Sequence, residues 1–299
     1  MKNNTPISKM RIAIIGTGNI GTDLLLKTLR SEFISCTLFS GRNFNSAGMK
    51  RANGLGVAIS DRGLEAIIKD PSICDLVFDC TSAQAHQEHW EVLSGLGKYV
   101  IDMTPAKLGT LCIPAINANE CIFRGDRNIN MITCGGQVSI PIAYAISQVH
   151  PSIDYIEVAS SIASRSAGPA TRFNLDEYIE TTQTALKIFS GAKNTKAILI
   201  LNPAVPPIDM QTTIYAKISN PRLPEIRLAV NEMVRKINQY VPGYQILVSP
   251  TADGDRVVTT IKVLGAGDYL PQYAGNLDII NCAAISMAEL IAKSKDREP

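Results

Sequence analysis

The chain has 299 residues, of which 45% are hydrophobic and 19% are charged, and its formal net charge at pH 7 is +2. This length allows two lobes of ordinary size, and the lack of a basic block argues against a nucleic-acid surface. The seven cysteines are scattered and show no CxxC spacing, which favours reduced thiols over a disulfide frame or a metal site. No uncharged apolar run reaches 18 residues, so we expect a cytoplasmic protein with no membrane partner.

The first chemical motif is a glycine turn between an apolar strand and a helix. Residues 10–15 have the pattern of a strand, residues 16–21 read GTGNIG, and leucines follow at helical spacing. In this setting a GxGxxG sequence binds a dinucleotide. Gly16 would make the tight turn, Gly18 would let the pyrophosphate approach the backbone, and Gly21 would pack the helix on the strand. The predicted cofactor contacts are Gly16, Thr17, Gly18, Asn19, Ile20 and Gly21.

The end of the second predicted strand bears on the choice of cofactor. An NAD site usually has an acid there, which binds the adenosine ribose. This chain has Ser40, Gly41, Arg42 and Asn43 instead. Arg42 and Ser40 would receive a 2′-phosphate, so NADP is a hypothesis beside NAD. The alternative is a solvent-facing arginine in a loop.

Strand and helix patterns continue to alternate, which predicts a doubly wound, Rossmann-type parallel sheet with five or six strands before residue 134. A short connection is expected over residues 112–117. The predicted strands of this lobe are residues 10–15, 35–39, 75–80, 98–103 and 130–132, and its predicted helices include residues 64–68 and 84–96.

Two polar residues and two histidines follow the strand that is predicted over residues 75–80. Thr81 and Ser82 stand where parallel strands end and line a cofactor crevice, so we predict that both contact the cofactor. His86 and His89 lie about one turn apart on the next helix. We interpret them as surface or hydrogen-bonded residues, because no third metal ligand accompanies them.

A cysteine followed by two glycines stands where the first lobe passes into the second. Cys134 follows a short apolar strand, and the next residues continue as a helix. Free backbone N–H groups and the helix dipole favour a thiolate, so we expect a lowered pKa and a good nucleophile. Gly135 and Gly136 would let N–H groups face an oxyanion. The alternative is a small buried hydrophobe before a glycine turn.

The patterns after residue 155 predict an α+β lobe, with a mostly antiparallel sheet and helices on one face. The last helix is expected to return to the first lobe. We predict a dinucleotide-binding domain of residues 1–133, completed by residues 275–299, and a catalytic and dimerisation domain of residues 134–274. The predicted strands are residues 156–163, 197–201, 214–218, 244–248 and 257–263. Three helices are predicted: one that begins after Asn174, one over residues 224–237 and one over residues 276–294.

Five motifs in chain order resemble the acylating acetaldehyde dehydrogenases, which work with a 4-hydroxy-2-oxovalerate aldolase in the meta-cleavage catabolism of aromatics. The motifs lie in residues 16–23, 133–137, 164–172, 202–210 and 273–278. The resemblance implies NAD as cofactor, coenzyme A as co-substrate, a homodimer and a complex with the aldolase.

The resemblance also implies roles for individual residues. Cys134 would be the nucleophile that forms the acyl thioester, and Asp209 would be the carboxylate that helps to activate it or takes part in a proton transfer. The further cofactor contacts that it implies are Ser164, Arg165, Ser166, Ala167, Gly168, Pro169, Ala170, Thr171, Arg172 and Asn276.

The implied reaction oxidises a short aldehyde. The thiolate adds to the aldehyde, hydride passes to the nicotinamide, and coenzyme A takes the acetyl group to give acetyl-CoA. Semialdehyde dehydrogenases that use phosphate or water pair their cysteine with a histidine, and His86, His89 and His150 are not convincingly placed for that. Two alternatives stay open: an NAD(P)-dependent semialdehyde or aromatic-aldehyde dehydrogenase with another acceptor, and a catalytically silent dinucleotide-binding sensor. The poor match over residues 33–53 keeps them open.

Overall fold

A computed structural model describes residues 9–295 of the chain, and these residues contain twelve strands and ten α-helices. The strands are β1 (Met10–Ile15), β2 (Ile34–Ser40), β3 (Ile59–Ser60), β4 (Leu76–Asp79), β5 (Tyr99–Asp102), β6 (Thr110–Leu111), β7 (Asn128–Asn130), β8 (Tyr155–Ala163), β9 (Asn194–Asn202), β10 (Met210–Lys217), β11 (Tyr244–Asp253) and β12 (Arg256–Val263). The helices are α1 (Asn19–Thr28), α2 (Ala47–Gly54), α3 (Glu65–Lys69), α4 (Ala83–Gly95), α5 (Pro114–Arg124), α6 (Cys134–Val149), α7 (Pro169–Phe173), α8 (Leu175–Ser190), α9 (Leu223–Ile237) and α10 (Gly275–Lys295).

Seven parallel strands form the first sheet, in the order β3-β2-β1-β4-β5-β7-β6. Both faces are covered: Ile12 and Ile14 pack with α1, α2, α5 and α10, whereas Ala13 and Ile15 pack with α3 and α4. The predicted doubly wound sheet is therefore confirmed. The strand order reverses between β1 and β4, and ligands of such sheets bind at the carboxyl ends of the strands at this point.

The first lobe differs from the sequence prediction in three short segments. It has seven strands rather than five or six, because β3 and β6 have two residues each and leave no periodic pattern. Helix α5 replaces most of the expected connection, with Pro114 in its first turn and Gly125 in the left-handed conformation after its end. Strand β7 ends at Asn130, and Ile132 has a φ of +64°, which an extended strand does not allow.

Five strands form the second sheet, in the order β11-β12-β10-β8-β9. The β8–β9 pair is parallel and the other three neighbouring pairs are antiparallel, as predicted. Residues alternate along β10: Met210, Thr212 and Ile214 are buried under the helices, whereas Tyr215 is 39% exposed on the other face. Helices α6, α8 and α9 thus cover one face of this sheet.

The last helix returns to the first lobe, where Ala283, Met287 and Ile291 join the core beside β1. By length and composition α10 would be apolar enough to cross a membrane, but 72% of its most apolar window is buried inside the fold. It is therefore a core helix. Residues 296–299, the end of the segment 275–299 that was predicted to complete the first domain, lie outside the described residues. The exact domain boundaries stay predictions.

A buried lysine ties α1 to α10 and to the loop before it. Lys27 Nζ lies 2.7 Å from Asp268 Oδ2, 2.7 Å from Asp278 Oδ1 and 3.3 Å from Asp23 Oδ2. The three carboxylates are close enough to hold a metal ion, but the ammonium group stands among them. Burial alone would raise the pKa of Asp268, yet hydrogen bonds from Arg30 and Lys27 outweigh it and lower that pKa.

We expect Lys27→Met to lower the free energy of unfolding by about 3 kcal/mol, because it leaves carboxylates without their buried partner. Lys193→Met is the matched control, since it removes the same group from a solvent-exposed pair with Asp154 and is expected to change stability little. Urea unfolding followed by circular dichroism measures both. Equal losses in the two variants would contradict the structural role of Lys27.

Candidate active site

A cavity of about 330 Å³ opens at the carboxyl ends of β1 and β4, where the two lobes meet. Both lobes contribute to its wall, and it brings Cys134 together with the glycine turn. The residues that line it are Gly18, Asn19, Ile20, Gly21, Cys80, Thr81, Ser82, Met103, Thr104, Pro105, Ile132, Thr133, Cys134, Ser166, Gly168, Thr171, Asn174, Tyr178, Asn276, Leu277 and Ile280.

The glycine turn has the geometry that a pyrophosphate needs. Gly16 has a φ of +103°, and a Cβ atom there would lie 2.5 Å from the carbonyl oxygen of Cys80. A Cβ atom on Gly21 would lie 1.9 Å from the carbonyl oxygen of Gly16, whereas one on Gly18 would meet no atom within 4 Å. No side chain among residues 9–295 caps α1 and no acid stands in its first turn, so its N-terminus suits an anion. These residues therefore fit the pyrophosphate of a dinucleotide.

Two glycines that the sequence analysis missed hold Thr17 in this turn. A Cβ atom on Gly41 would lie 2.6 Å from Thr17 Cγ2, and one on Gly48 would lie 2.4 Å from the carbonyl oxygen of Thr17. The backbone after β2 and the start of α2 therefore pack closely on the turn. Gly41 directly follows a predicted strand, and glycine at such a position often marks close packing of the backbone. The sequence could therefore have indicated this contact.

Ser40 and Arg42 do not share the role that was predicted for them. Ser40 is fully buried, and its Oγ lies 3.2 Å from the carbonyl oxygen of Ser60 and 3.0 Å from that of Gly63. The prediction that Ser40 receives a 2′-phosphate is wrong, because backbone carbonyls already accept from its hydroxyl. Arg42 is exposed just after β2, and its contact with the cofactor stays a prediction.

Thr81 and Ser82 line the cavity between β4 and α4. The backbone N–H and the hydroxyl of Thr81 both donate to Asp79 Oδ1. Ser82 precedes α4, and its Oγ accepts from the N–H of Ala85 at 3.3 Å. These bonds tie the loop to the end of β4 and the start of α4, and the cofactor contacts of the two residues stay predictions.

A buried cluster of acids and histidines lies behind this loop. Asp79 Oδ2 lies 3.0 Å from His86 Nδ1 and 2.8 Å from His89 Nδ1, so both histidines are hydrogen-bonded, as the sequence analysis allowed. Burial alone would raise the pKa of Asp79, but the histidine contacts lower it well below its usual range. Burial raises the pKa of Asp102, 3.5 Å from His86 Nε2, to about 7. The cluster thus places an ionised Asp79 behind Thr81.

Both glycines after Cys134 have hydrogen-bond partners within the chain. Thr133 caps α6, and its Oγ accepts from the N–H of Gly136 at 2.9 Å. The N–H of Gly135 donates to the hydroxyl oxygen of Tyr178, also at 2.9 Å. The N–H groups of Gly135 and Gly136 are therefore not free to face an oxyanion, and the expectation that backbone N–H groups at this turn do so stays a prediction for other N–H groups.

Cys134 is the first residue of α6 and is partly exposed to the cavity. Burial raises the pKa of its thiol, while the Tyr178 hydroxyl and the N–H groups of Gly135 and Cys134 act to lower it and do not outweigh burial. The predicted lowering of the pKa is therefore wrong for the chain alone. A helix N-terminus contributes about 0.3–1 kcal/mol to such a group, and burial costs a charged group more.

The segment after β8 closes the cavity from the second lobe. The guanidinium of Arg172 donates to the carbonyl oxygen and the Oγ of Ser164, at 2.9 and 2.8 Å, and to the carbonyl oxygen of Ala167 at 3.1 Å. The Oγ of Ser166 donates to the carbonyl oxygen of Ala163 at 2.8 Å. Arg172 therefore supports the loop from within, although it was predicted as a cofactor contact.

Only some of the other predicted cofactor contacts in this segment line the cavity. Arg165 is exposed, and the side chains of Pro169 and Ala170 lie outside the described residues. The members of the segment that line the cavity are Ser166, Gly168 and Thr171.

Asn276 lies at the start of α10, lines the cavity and is 1% exposed. Its Oδ1 atom is buried and has no hydrogen-bond partner among the described residues. A buried amide oxygen without a donor calls for one, and a bound ligand can supply it. This feature, independent of the glycine turn, fits a polar ligand in the cavity.

Asp209 is not among the described residues that line the cavity. It immediately precedes β10, its side chain is 35% exposed, and its Oδ2 lies 3.7 Å from Lys262 Nζ. Residues alternate along this strand, so Asp209 shares the open face with Gln211, whereas Met210 faces the helices. Its role toward Cys134 stays a prediction from the resemblance.

Sequence reasoning missed several residues of the cavity. Thr104 and Pro105 follow β5, and the rule that selected Thr81 would have found them. Tyr178 had no local signal: it lies 44 residues after Cys134 on a separate helix, and only the packing of α8 on α6 brings the two together.

Both lobes match known domain families. Residues 134–271 match the dimerisation domain of prokaryotic acetaldehyde dehydrogenase, and residues 11–121 match the NAD-binding domain of semialdehyde dehydrogenase. Two solved structures share the fold at 13% sequence identity. They are aspartate semialdehyde dehydrogenase II from Vibrio cholerae, complexed with ASA (TM-score 0.63, covering 96% of this chain and 99% of that one), and aspartate semialdehyde dehydrogenase with NADP from Candida albicans (TM-score 0.65, covering 97% and 99%).

Relatives named acetaldehyde dehydrogenase match nearly the whole chain. The protein of Pectobacterium atrosepticum is 72% identical over 95% of this chain and 96% of its own length. The protein of Spirochaeta aurantia is 55% identical over 95% of each chain, and that of Geobacillus stearothermophilus is 45% identical over 97% of this chain and 98% of its own. The resemblance to acetaldehyde dehydrogenases is confirmed, whereas the transfer to coenzyme A and the aldolase partner stay predictions, and the chain belongs to the acetaldehyde dehydrogenase family.

Proposed function

We propose that this chain oxidises acetaldehyde through a thioester on Cys134 and passes the acetyl group to coenzyme A. The observation that carries the proposal is that Cys134 and the glycine turn line one cavity. A bound nicotinamide dinucleotide supplies the hydride acceptor there. Residues 16–21, Thr81, Ser82 and Asn276 would hold it.

The chain's own residues perform the acyl chemistry in this proposal. The thiolate of Cys134 forms a C–S bond to the carbonyl carbon, and after oxidation the same bond breaks as the acceptor takes the acetyl group. Asp209 as the activating carboxylate rests on the resemblance alone, and an unchanged rate in Asp209→Asn would remove it from the proposal.

Coenzyme A is the proposed acceptor because no histidine stands beside the thiol. All three histidines of the chain are described: His86 and His89 contact Asp79, and His150 Nε2 accepts from the N–H of Arg222 at 2.9 Å. A histidine base is what an enzyme would use to activate water on a thioester. A thiol acceptor is more acidic than water and needs less help from a base.

The test is the absorbance of reduced nicotinamide with acetaldehyde, with NAD or NADP as cofactor and with coenzyme A present or absent. The proposal expects reduction that requires coenzyme A. Turnover of equal rate without coenzyme A would indicate hydrolysis or another acceptor and would contradict it. Reduction with larger aldehydes but not with acetaldehyde would contradict the proposed substrate.

NADP stays an alternative to NAD because Arg42 stands where an acid is usual. If Arg42 pairs with a 2′-phosphate, Arg42→Asp should lower the ratio of kcat/KM for NADP to that for NAD by about tenfold or more. Arg51→Asp on α2 is the matched control, because it makes the same change of charge on a nearby exposed arginine. An unchanged ratio in Arg42→Asp would show that this residue does not read the phosphate.

We also propose a homodimer that forms through the open face of the second sheet. Ile200, Tyr215 and Val248 are 39–47% exposed on that face, opposite the helices, and the lobe matches a dimerisation domain. Sedimentation that gave only the 32.3 kDa mass of one chain would contradict this. We further propose a cytoplasmic enzyme, as the composition and the scattered cysteines predict. The resemblance supports a complex with a 4-hydroxy-2-oxovalerate aldolase, which co-purification of the two proteins would test.

A further inference from the structure

A buried tyrosine hydroxyl lies against the sulfur of Cys134. Tyr178 is 7% exposed, and its Oη lies 3.6 Å from Cys134 Sγ and 2.9 Å from the backbone nitrogen of Gly135. A backbone N–H group can only donate a hydrogen bond, so the Tyr178 oxygen accepts one from the N–H of Gly135. The single hydrogen of the hydroxyl is then left to donate to the sulfur.

We propose that Tyr178 is a further catalytic residue, whose hydroxyl donates a hydrogen bond to the Cys134 sulfur and stabilises it as a thiolate. This inference rests on the proposed function, in which the sulfur carries negative charge twice. The thiolate electron pair first forms the C–S bond to the aldehyde carbon. When the thiolate of coenzyme A later forms its own C–S bond, the bond to Cys134 breaks and the electron pair returns to Sγ. Tyr178 keeps its proton throughout.

The local packing holds the hydroxyl in this position. A Cβ atom on residue 135 would lie 2.2 Å from Tyr178 Oη, so only glycine there allows the hydroxyl to approach. One turn further along α8, Thr182 Oγ lies 2.8 Å from the Oγ of Thr133 and joins α8 to the start of α6. Burial, followed by the nearby Cys134, raises the pKa of Tyr178 well above its ordinary value, so the donor stays protonated.

The role of Tyr178 matters more because other donors are engaged. The N–H groups of Gly135 and Gly136 already bond to Tyr178 and Thr133, so they are not available to the sulfur's reaction partner. The hydrogen bond from the Gly135 N–H polarises the Tyr178 hydroxyl, and a hydroxyl that accepts a hydrogen bond becomes a better donor, here to the sulfur. Tyr178 is thus a side-chain donor to the sulfur, in addition to the N–H groups of Gly135 and Cys134 that act on the thiol.

The test compares Tyr178→Phe with Tyr244→Phe. Tyr244 is fully buried, and its hydroxyl donates to the carbonyl oxygen of Val138 on the same helix, α6, at 2.6 Å. Both variants therefore lose a buried tyrosine hydroxyl that binds α6, but only one of these hydroxyls touches the sulfur. The readout is the pH dependence of iodoacetamide alkylation, followed by mass spectrometry of the Cys134 peptide without aldehyde, coenzyme A or nicotinamide.

We expect Tyr178→Phe to raise the pKa of the Cys134 thiol by about one unit and to slow alkylation at neutral pH about tenfold, with little change in Tyr244→Phe. Equal thiol pKa values in the two variants would overturn the inference. Should Tyr178→Phe fail to fold, fluorotyrosine incorporated at position 178 keeps the ring and hydroxyl and makes a stronger donor. It should lower the thiol pKa, and no shift would again overturn the inference. Because no substrate is present, this result is independent of whether coenzyme A is the acceptor.

Discussion

Cys134→Ala is expected to reduce the rate of coenzyme A-dependent nicotinamide reduction by about 10⁴-fold or more, because it removes the proposed nucleophile. Cys80, the other thiol among the described residues that line the cavity, is a poor substitute, since burial raises its pKa well above the ordinary value. Alanine is a good helix former, and residue 134 is the first residue of α6, so the fold should persist. The rate is measured by absorbance of the reduced cofactor. Cofactor binding, followed by fluorescence titration, should remain near the level of the unchanged protein.

Cys282→Ala is the matched control for this prediction. Cys282 is another partly exposed free cysteine, on α10, and it is not among the described residues that line the cavity. Its replacement should leave the rate within about twofold of the unchanged protein, because Cys282 lies outside the cavity and cysteine and alanine are both small. Substantial activity in Cys134→Ala, or an equal loss in Cys282→Ala, would contradict a thioester on Cys134.

Gly21→Ala and Gly18→Ala should separate folding from cofactor binding within one turn. A methyl group on Gly21 would meet the carbonyl oxygen of Gly16 at 1.9 Å, and backbone atoms cannot yield easily there. We expect this variant to lose about 3 kcal/mol of unfolding free energy, at the upper end of the cost of overpacking. A methyl group on Gly18 meets no atom within 4 Å, so this variant should keep its stability.

Gly18→Ala should instead weaken dinucleotide binding, by about tenfold or more, because the methyl group stands where the pyrophosphate approaches the backbone. Urea unfolding and cofactor titration on both variants measure the two effects. If Gly18→Ala bound the cofactor normally, or Gly21→Ala were as stable as the unchanged protein, the assigned geometry of the turn would be wrong.

The cluster of acids and histidines behind Thr81 makes the stability of the loop at the cavity depend on pH. His86 is fully buried between Asp79 and Asp102, and neighbouring strands place the two acids side by side. Burial alone would lower the pKa of His86, but the hydrogen bond that its Nδ1–H donates to Asp79 raises it. The protonated His86 stabilises the folded chain through this hydrogen bond. The stabilisation is complete below the ordinary histidine pKa and is lost as the pH rises through the raised pKa of His86. The loop that carries Thr81 and Ser82 is therefore held best at mildly acidic pH.

The sequence by itself determined the two-lobe fold and the position of the glycine turn. These features rest on local patterns: periodic apolar residues, a strand before GTGNIG, and the helix after Cys134. The family was also readable from five motifs that occur in order. The short strands β3 and β6 were not, because two residues are too few for a period and only the neighbouring strand makes them extended.

Only the tertiary structure decided which groups around the thiol are free to act. The N–H groups of Gly135 and Gly136 looked available in the sequence, but Tyr178 and Thr133 bind them. Ser40 looked available for a phosphate, but backbone carbonyls 20 and 23 residues away accept from it. The physical reason is the same in each case: hydrogen-bonding capacity is used up by partners that packing brings in, and burial alters a pKa more than a local helix terminus does.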